Sequence, residues 1–118
     1  MTPVRGIFIN SAAQKIEYIE NIQSYKDVQY CLGSFIEVGH TFENGDCVFI
    51  DGNAATQIGI QTGFELHKTK FIGNALILNH DKDGSLSSSR CGLRTIERRL
   101  RYIDLSEIEL HDLFWSTI

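Results

Sequence analysis

The sequence is short of proline, tryptophan and cysteine, with one, one and three of these residues among its 118. One proline beside ten glycines excludes a low-complexity linker, and the apolar run Ala75–Leu78 is too short to span a membrane. The net charge of −4 argues against general nucleic-acid binding by charge alone, and it is too small for a DNA mimic. The composition is that of an ordinary globular protein, so we expect residues 1–118 to form a single domain with its own core.

The three cysteines, Cys31, Cys47 and Cys91, are odd in number and lie in apolar surroundings or beside an arginine-rich segment. This pattern fits reduced thiols better than a disulfide framework. The N-terminal residues Met1–Arg5 show no basic head followed by an apolar stretch, so no signal peptide is predicted. We therefore expect a cytoplasmic protein.

The stretch from Lys70 to Asp83 is predicted to form the centre of the fold. It contains the charge-free run Ala75–Leu78, which is too continuous for a strand with one face in water. The run Asp81–Gly84 has the composition of a turn. The sequence therefore predicts a central strand that is covered on both faces and followed by a turn.

A hairpin is predicted around Asn44-Gly45, the residue pair best suited to a two-residue type I′ turn. Such a turn places Phe42 opposite Cys47. The period of two then puts six residues on the face that we expect to form the core: Ile36, Val38, His40, Phe42, Cys47 and Phe49. The opposite face, with Val48 and Ile50, is expected to be half covered.

The remaining patterns predict further strands and helices. Strands are expected at Val4 to Asn10, Lys15 to Ile19 and around Phe64, and Ser24 with Asp27 predicts a capped helix that ends before Gly33. A second helix is expected in the arginine-rich segment, a third is expected to begin at Ser106 and to include Trp115, and Tyr102 to Leu105 is either extended or helical. Together these elements predict an α+β domain: an antiparallel sheet of about five or six strands, open or curled toward a barrel, with two or three packed helices.

Five of the six arginines fall between Arg90 and Arg101, and this segment carries a net charge of +4. On one continuous helix, four of them would occupy an arc of about 80°. Guanidinium groups suit phosphate because each donates two hydrogen bonds at once. The sequence therefore predicts a site for an anionic ligand made of six residues: Arg90, Arg94, Arg98, Arg101, Ser88 and Ser89. The alternative is that the arginines are solvated or pair with acids of the same chain, such as Asp104, Glu107, Glu109 and Asp112.

Other chemistry is weakly represented in the sequence. Asn79–Gly84 resembles the start of a calcium loop, but Arg90 stands where such a loop needs a bidentate glutamate. The cysteines and histidines show no zinc-ligand spacing, and His40 is expected to be a hydrogen-bonded core histidine. No nucleophile motif, P-loop or dinucleotide fingerprint is present, so we predict no catalytic residue, metal or cofactor.

Five segments in order resemble a known family: Cys31–Val38, Gly45–Asp51, Gly63-Phe64, Phe71–Leu78 and Asp81–Gly84. The chain, from about Arg5 to Leu105, is similar to small domains of unknown function found mainly in bacteriophages, plasmids and other mobile elements. The family offers no catalytic motif to transfer. The resemblance implies a non-enzymatic binding protein that acts in the host cytoplasm on host pathways, including defence.

Such a protein is expected to bind either a small anionic ligand, for example a nucleotide signal, or a host protein. Homo-oligomers are a further possibility for it. A membrane partner is not expected. Two alternatives remain open. One is a phosphodiesterase-type enzyme, in which arginines stabilise the transition state and His80 or Asp81 acts as the base. The other is a small nucleic-acid-binding regulatory module.

Overall fold

The structure is a computed structural model that describes residues 4–54 and 62–104 of the chain. In these residues the protein forms nine strands and two helices, which confirms the predicted α+β class. The strands are Val4–Asn10 (β1), Lys15–Ile22 (β2), Ile36–Thr41 (β3), Cys47–Asp51 (β4), Thr62–Leu66 (β5), Thr69–Ile72 (β6), Ala75–His80 (β7), Leu86–Ser87 (β8) and Arg101–Asp104 (β9). The helices are Tyr25–Leu32 (α1) and Leu93–Arg99 (α2). The helix predicted from Ser106 lies outside the described residues.

The larger sheet has the order β2-β1-β7-β4-β3, and β8 pairs with β7 beside it. All of its pairings are antiparallel. Strand β7 lies in the middle, and Ala75, Leu76, Ile77 and Leu78 are fully buried, so the predicted central strand is confirmed. The smaller sheet has the order β6-β5-β9, and neither sheet closes into a barrel within residues 4–54 and 62–104.

The two faces of β7 belong to different apolar clusters because successive side chains of a strand point to opposite faces. Ala75 and Ile77 face the smaller sheet, where they meet β5, β6 and Ile96 of helix α2. Leu76 and Leu78 face helix α1 and pack with its buried Val28. Helix α1 therefore covers one face of the larger sheet, and helix α2 with the smaller sheet covers the other.

Helix α1 begins as the sequence predicts. Ser24 is its N-cap, and the Asp27 carboxylate accepts hydrogen bonds from the backbone N–H of Gln23 at 2.7 Å and of Ser24 at 3.2 Å. These contacts satisfy backbone donors that have no partner inside the helix. The capping pattern of Ser24 and Asp27 was therefore a local sequence signal sufficient to predict where this helix begins.

The predicted hairpin around Asn44-Gly45 exists, but the predicted register of its two strands was wrong by one residue. Thr41, not Phe42, lies opposite Cys47, and a bulge between Val38 and His40 shifts the register again. Gly45 has a φ of +93°, while Asn44 does not have a positive φ, so the two-residue turn with two left-handed residues does not form. The loop is longer, with the N–H of Gly45 donating to the carbonyl of Phe42 at 3.0 Å.

This shift changes which residues share a face. Cys47 and Phe49 lie in the α1-side core as predicted. Phe42, however, packs with Val48 in the core between the sheets, and Val38 is 53% exposed. The face with Val48, which we expected to be half covered, belongs to the core between the two sheets, so that prediction was wrong.

Candidate anion-binding surface

The arginine-rich segment is not one continuous helix, so the predicted stripe of four guanidinium groups along one rod was wrong. Helix α2 covers only Leu93–Arg99, with Gly92 as its N-cap. Arg90 precedes the helix, and Arg101 is the first residue of β9. Arg94 and Arg98 do share one face of α2, because residues four apart lie one above the other on a helix.

The helix begins late because the buried carboxylate of Asp46 holds the backbone before it. Its two oxygens accept hydrogen bonds from the N–H of Arg90 and of Cys91, each at 2.8 Å. The side-chain amide of Asn79 donates to the same carboxylate at 2.9 Å. Asp46 is fully buried, which alone would raise its pKa, but these hydrogen bonds outweigh burial and hold the pKa below its ordinary value.

The segment leaves the helix because Arg101 pairs with the smaller sheet. It lies opposite Glu65 in the β5–β9 pairing, and its Nε is 3.5 Å from a carboxylate oxygen of Glu65. The structure therefore places Arg101 beside a carboxylate of the same chain, which agrees with the general alternative of internal pairing, although Glu65 is not among the acids named for it. Arg101 does not lie on the face of α2 that carries Arg94 and Arg98.

The two predicted serines contact strand β1 and do not cap helix α2. The Ser88 hydroxyl accepts a hydrogen bond from the N–H of Arg5 at 2.9 Å, and the N–H of Ser89 donates to the carbonyl of Arg5 at 3.1 Å. Both serines are half-buried. They hold the backbone of Arg5, the one arginine outside the arginine-rich segment.

Arg5 and Tyr18 are two further residues of this surface that the sequence did not reveal. The guanidinium carbon of Arg5 lies 4.0 Å from the centroid of the Tyr18 ring, a cation–π contact. The Tyr18 hydroxyl accepts a hydrogen bond from the N–H of Leu93 at 2.9 Å. Tyr18 thus joins Arg5 to the first turn of α2. The two strands predicted at Val4 to Asn10 and Lys15 to Ile19 are separated by only four residues, which suggested that Arg5 and Tyr18 are near each other. Nothing in the sequence connects them to Leu93.

Five arginines in or near α2 are grouped under the name basic surface: Arg5, Arg90, Arg94, Arg98 and Arg99. All five side chains are exposed. Within the described part of the chain, none of the five lies within 4.0 Å of a carboxylate oxygen. Of the acids proposed as internal partners, Asp104 is exposed in β9, and Glu107, Glu109 and Asp112 lie outside the described residues.

Tyr18→Phe tests the connection between β2 and α2. We expect the free energy of unfolding to fall by about 1 kcal/mol, since the N–H of Leu93 loses its acceptor at a partly exposed position. Tyr30→Phe is the matched control because Tyr30 is 94% exposed. Urea unfolding of the two variants decides the point: equal stabilities would contradict the role of the Tyr18 hydroxyl.

A groove of about 860 Å³ lies on the opposite, α1-side of the larger sheet. Ser88 lines it together with Asn21, Ser24, Tyr25 and other uncharged residues, and Asp81 is its one charged lining residue. No arginine or lysine faces it among the described lining residues, so the groove does not suit an anion. The basic surface is therefore the part of the described structure that fits the predicted ligand class.

The remaining chemical candidates are separated in the structure. The predicted turn Asp81–Gly84 forms, with the N–H of Gly84 donating to the carbonyl of Asp81 at 2.9 Å. Asn79, the first residue of the calcium-like pattern, is buried and bonded to Asp46. Burial raises the pKa of the Cys91 thiol, and Asp46 adds to this effect, so the thiol stays protonated at neutral pH and is a poor nucleophile. Among the described residues no group of three metal-ligating side chains occurs.

No protein-family model, curated protein or solved structure matches the chain. In the described residues no helix has both the length and the apolar character needed to cross a membrane. The fold and the basic surface therefore define an α+β domain with exposed arginines on and next to a short helix.

Proposed function

We propose that the protein is a non-enzymatic binding protein that takes a phosphorylated, anionic ligand on its basic surface. The observation that carries this proposal is the exposure of Arg94 and Arg98 on one face of α2 without a carboxylate partner in the described structure. Guanidinium groups that no carboxylate among the described residues neutralises can make a bidentate contact with phosphate oxygens.

The spacing of the arginines supports a compact ligand. The Cβ atoms of residues four apart on a helix are about 6 Å from each other, so Arg94 and Arg98 can grip one phosphoryl group or two adjacent ones. Arg5 adds a third guanidinium that is already held over the Tyr18 ring. A side chain ordered before binding loses less entropy on binding, which favours affinity. Ser88 and Ser89 support the site by fixing the backbone of Arg5 rather than by touching the ligand.

The finer part of the proposal rests on the resemblance to domains of phages and mobile elements. In this view the protein acts in the host cytoplasm and sequesters a nucleotide signal used in host defence. A host protein with an acidic face is the other partner that the same surface would accept, and homo-oligomers remain part of the proposal.

Charge reversal on α2 tests the binding proposal. ATP and cyclic di-AMP are titrated into the full chain, and the double variant Arg94→Glu/Arg98→Glu is expected to weaken binding by a factor of at least about 150. Two charge-assisted hydrogen-bond sets, each worth about 1.5–3 kcal/mol, are lost together. Lys26→Glu/Lys82→Glu is the matched control, because it reverses the same number of exposed charges away from the basic surface. An equal loss in both double variants, or no binding of either nucleotide, would contradict the proposal.

The same samples separate the proposal from its alternatives. After incubation the nucleotide is recovered from denatured protein: an intact nucleotide supports sequestration, and a hydrolysed one supports a phosphodiesterase. A nucleic-acid-binding module predicts instead that a single-stranded oligonucleotide binds more tightly than either nucleotide, with an affinity that falls steeply as salt rises. Native mass spectrometry of protein purified from cells adds the number of subunits and any retained small molecule.

A further inference from the structure

His40 and His67 are far apart in the sequence but adjacent in the structure. Their ring centroids are 4.8 Å apart, and the rings are inclined by 39°. His40 lies on β3, an edge strand of the larger sheet, and His67 lies in the turn between β5 and β6 of the smaller sheet. His40 is half-buried and His67 is exposed, so the prediction that His40 is a core histidine needs correction.

A third ring encloses the pair on one side. The Phe42 centroid is 4.9 Å from that of His40 and 5.8 Å from that of His67, and its ring plane meets both imidazoles nearly at right angles. Phe42 thus forms an apolar wall beside the two imidazoles. Such a wall excludes water from one side and strengthens electrostatic interactions at the ring nitrogens.

The turn that presents His67 is unusual for its sequence. Its two residues, His67 and Lys68, have φ values of +54° and +63°, a conformation that hairpins normally give to Asn-Gly. A non-glycine residue held in this region costs on the order of 1 kcal/mol or more. The surrounding structure maintains this conformation, and one result is that the imidazole of His67 lies against His40.

We propose that His40 and His67 form a two-imidazole site for a divalent transition-metal ion such as Ni²⁺, with water in the other coordination positions. A metal–nitrogen bond of about 2.1 Å places each ring centroid about 3.2 Å from the ion, so ligand angles of about 90–109° separate the centroids by about 4.5–5.2 Å. The observed 4.8 Å falls inside that interval. Neutral imidazole suits nickel, copper and zinc ions.

Metal binding at this position has a structural consequence. The ion would connect β3 of the larger sheet to the β5–β6 turn of the smaller sheet, and a ligand that binds only the folded state raises its stability. The site is independent of the basic surface and of the function proposed for it. Chain spacing could not reveal it, because its two ligands come from different sheets.

The experiment titrates Ni²⁺ into the full chain by calorimetry and measures the thermal midpoint with and without the ion. The wild-type midpoint is expected to rise with Ni²⁺. His40→Gln and His67→Asn are each expected to weaken Ni²⁺ binding at least tenfold and to abolish the rise; asparagine is chosen at His67 because it tolerates the left-handed turn. His80→Gln is the matched control, an exposed histidine outside the pair that is expected to leave both readouts unchanged.

Each outcome decides for or against the site. Metal-free midpoints close to that of the wild type show that the variants fold, and loss of binding in both then supports the pair. Three results would overturn the proposal. The double variant His40→Gln/His67→Asn could still bind Ni²⁺, or His80→Gln could lose binding in place of the pair. The wild type could also bind no Ni²⁺, in which case the two imidazoles would form an aromatic contact only.

Discussion

Asp46→Asn is expected to lower the free energy of unfolding by about 3 kcal/mol, because a buried acceptor loses one of its two oxygens. One carboxylate oxygen accepts hydrogen bonds from the N–H of Arg90 and the amide of Asn79, and the other accepts from the N–H of Cys91 and, at 3.3 Å, from the side-chain amide of Asn44. An asparagine keeps one oxygen and turns an NH₂ group toward donors on the other side. At least one of these N–H groups is then left without its acceptor, and two donors face each other. Urea unfolding at pH 7 measures the difference.

The same contacts predict how stability depends on pH. The folded-state pKa of Asp46 lies below that of an unfolded aspartate, which is about 3.9. The stabilisation from this carboxylate is therefore complete above about pH 5 and is lost as the pH falls through the unfolded and then the folded pKa. The difference in unfolding free energy between the wild type and Asp46→Asn should be constant from pH 7 to about pH 5 and should narrow below about pH 4.

Asp83→Asn is the matched control for these experiments. The pKa of Asp83 is also lowered, by a hydrogen bond from the N–H of Ser85, but the carboxylate is exposed to solvent. Water replaces that contact readily, so little change in stability is expected. If Asp46→Asn were no more destabilising than Asp83→Asn, the buried carboxylate would not be organising the loop before α2.

Asp46 also explains why two predictions from the sequence were wrong. The Asn44-Gly45 pair favours a two-residue turn, but the side-chain oxygen of Asn44 accepts the N–H of Asp46 at 2.9 Å in the longer loop that the structure adopts. In that loop the Asp46 side chain is buried and reaches Arg90 and Cys91, which are more than forty residues away in the sequence. Local turn preference cannot include a contact with such a distant segment.

The arginine-rich segment shows the same limit. The residue types of the segment favour one helix through Arg101. Instead, the carboxylate of Asp46 accepts hydrogen bonds from the N–H groups at the start of the segment, and the end of the segment pairs with Glu65 in a sheet. Tertiary contacts therefore override helix propensity at both ends. The centre of the fold was predictable for the opposite reason. The run Ala75–Leu78 carries no charge, and a strand without a polar face has only one stable location, between two layers.

The candidate site was predictable in composition more than in geometry. The sequence identified Arg94 and Arg98, which share a helical face, because their spacing of four is a local property. It did not identify Arg5, whose position depends on Tyr18 and on the serines after β8. It assigned Arg101 to the site, although the guanidinium of Arg101 lies beside Glu65. The positions of Arg5 and Arg101 depend on contacts between strands, and such contacts have no signature within a short stretch of sequence.

Gly63→Ala is expected to destabilise the protein by about 3 kcal/mol, because the β5–β6 pair leaves no room for a side chain there. A Cβ atom at Gly63 would overlap the carbonyl oxygen of Phe71 and would lie only 3.1 Å from its carbonyl carbon and 3.2 Å from the Cα of Ile72. These are backbone atoms of the paired strand, so they cannot move aside as a flexible side chain does. Relief requires the two strands to separate, which weakens their hydrogen bonds and disturbs the packing of Phe64 against Phe71, whose rings stack at 5.1 Å.

Gly92→Ala separates this effect from the general cost of replacing a glycine. A Cβ atom at Gly92 meets no heavy atom within 4 Å, and the φ of −78° suits any residue. Alanine is a poorer N-cap than glycine, so the free energy of unfolding is expected to fall by less than about 1 kcal/mol there.

Gly63 lies opposite Ile72 on one side and Ile103 on the other, so Gly63→Ala should also weaken the β5–β9 pairing after α2. Amide exchange at Ile103 should then be faster in Gly63→Ala than in Gly92→Ala, and equal rates together with equal stabilities would show that the smaller sheet accommodates the methyl group.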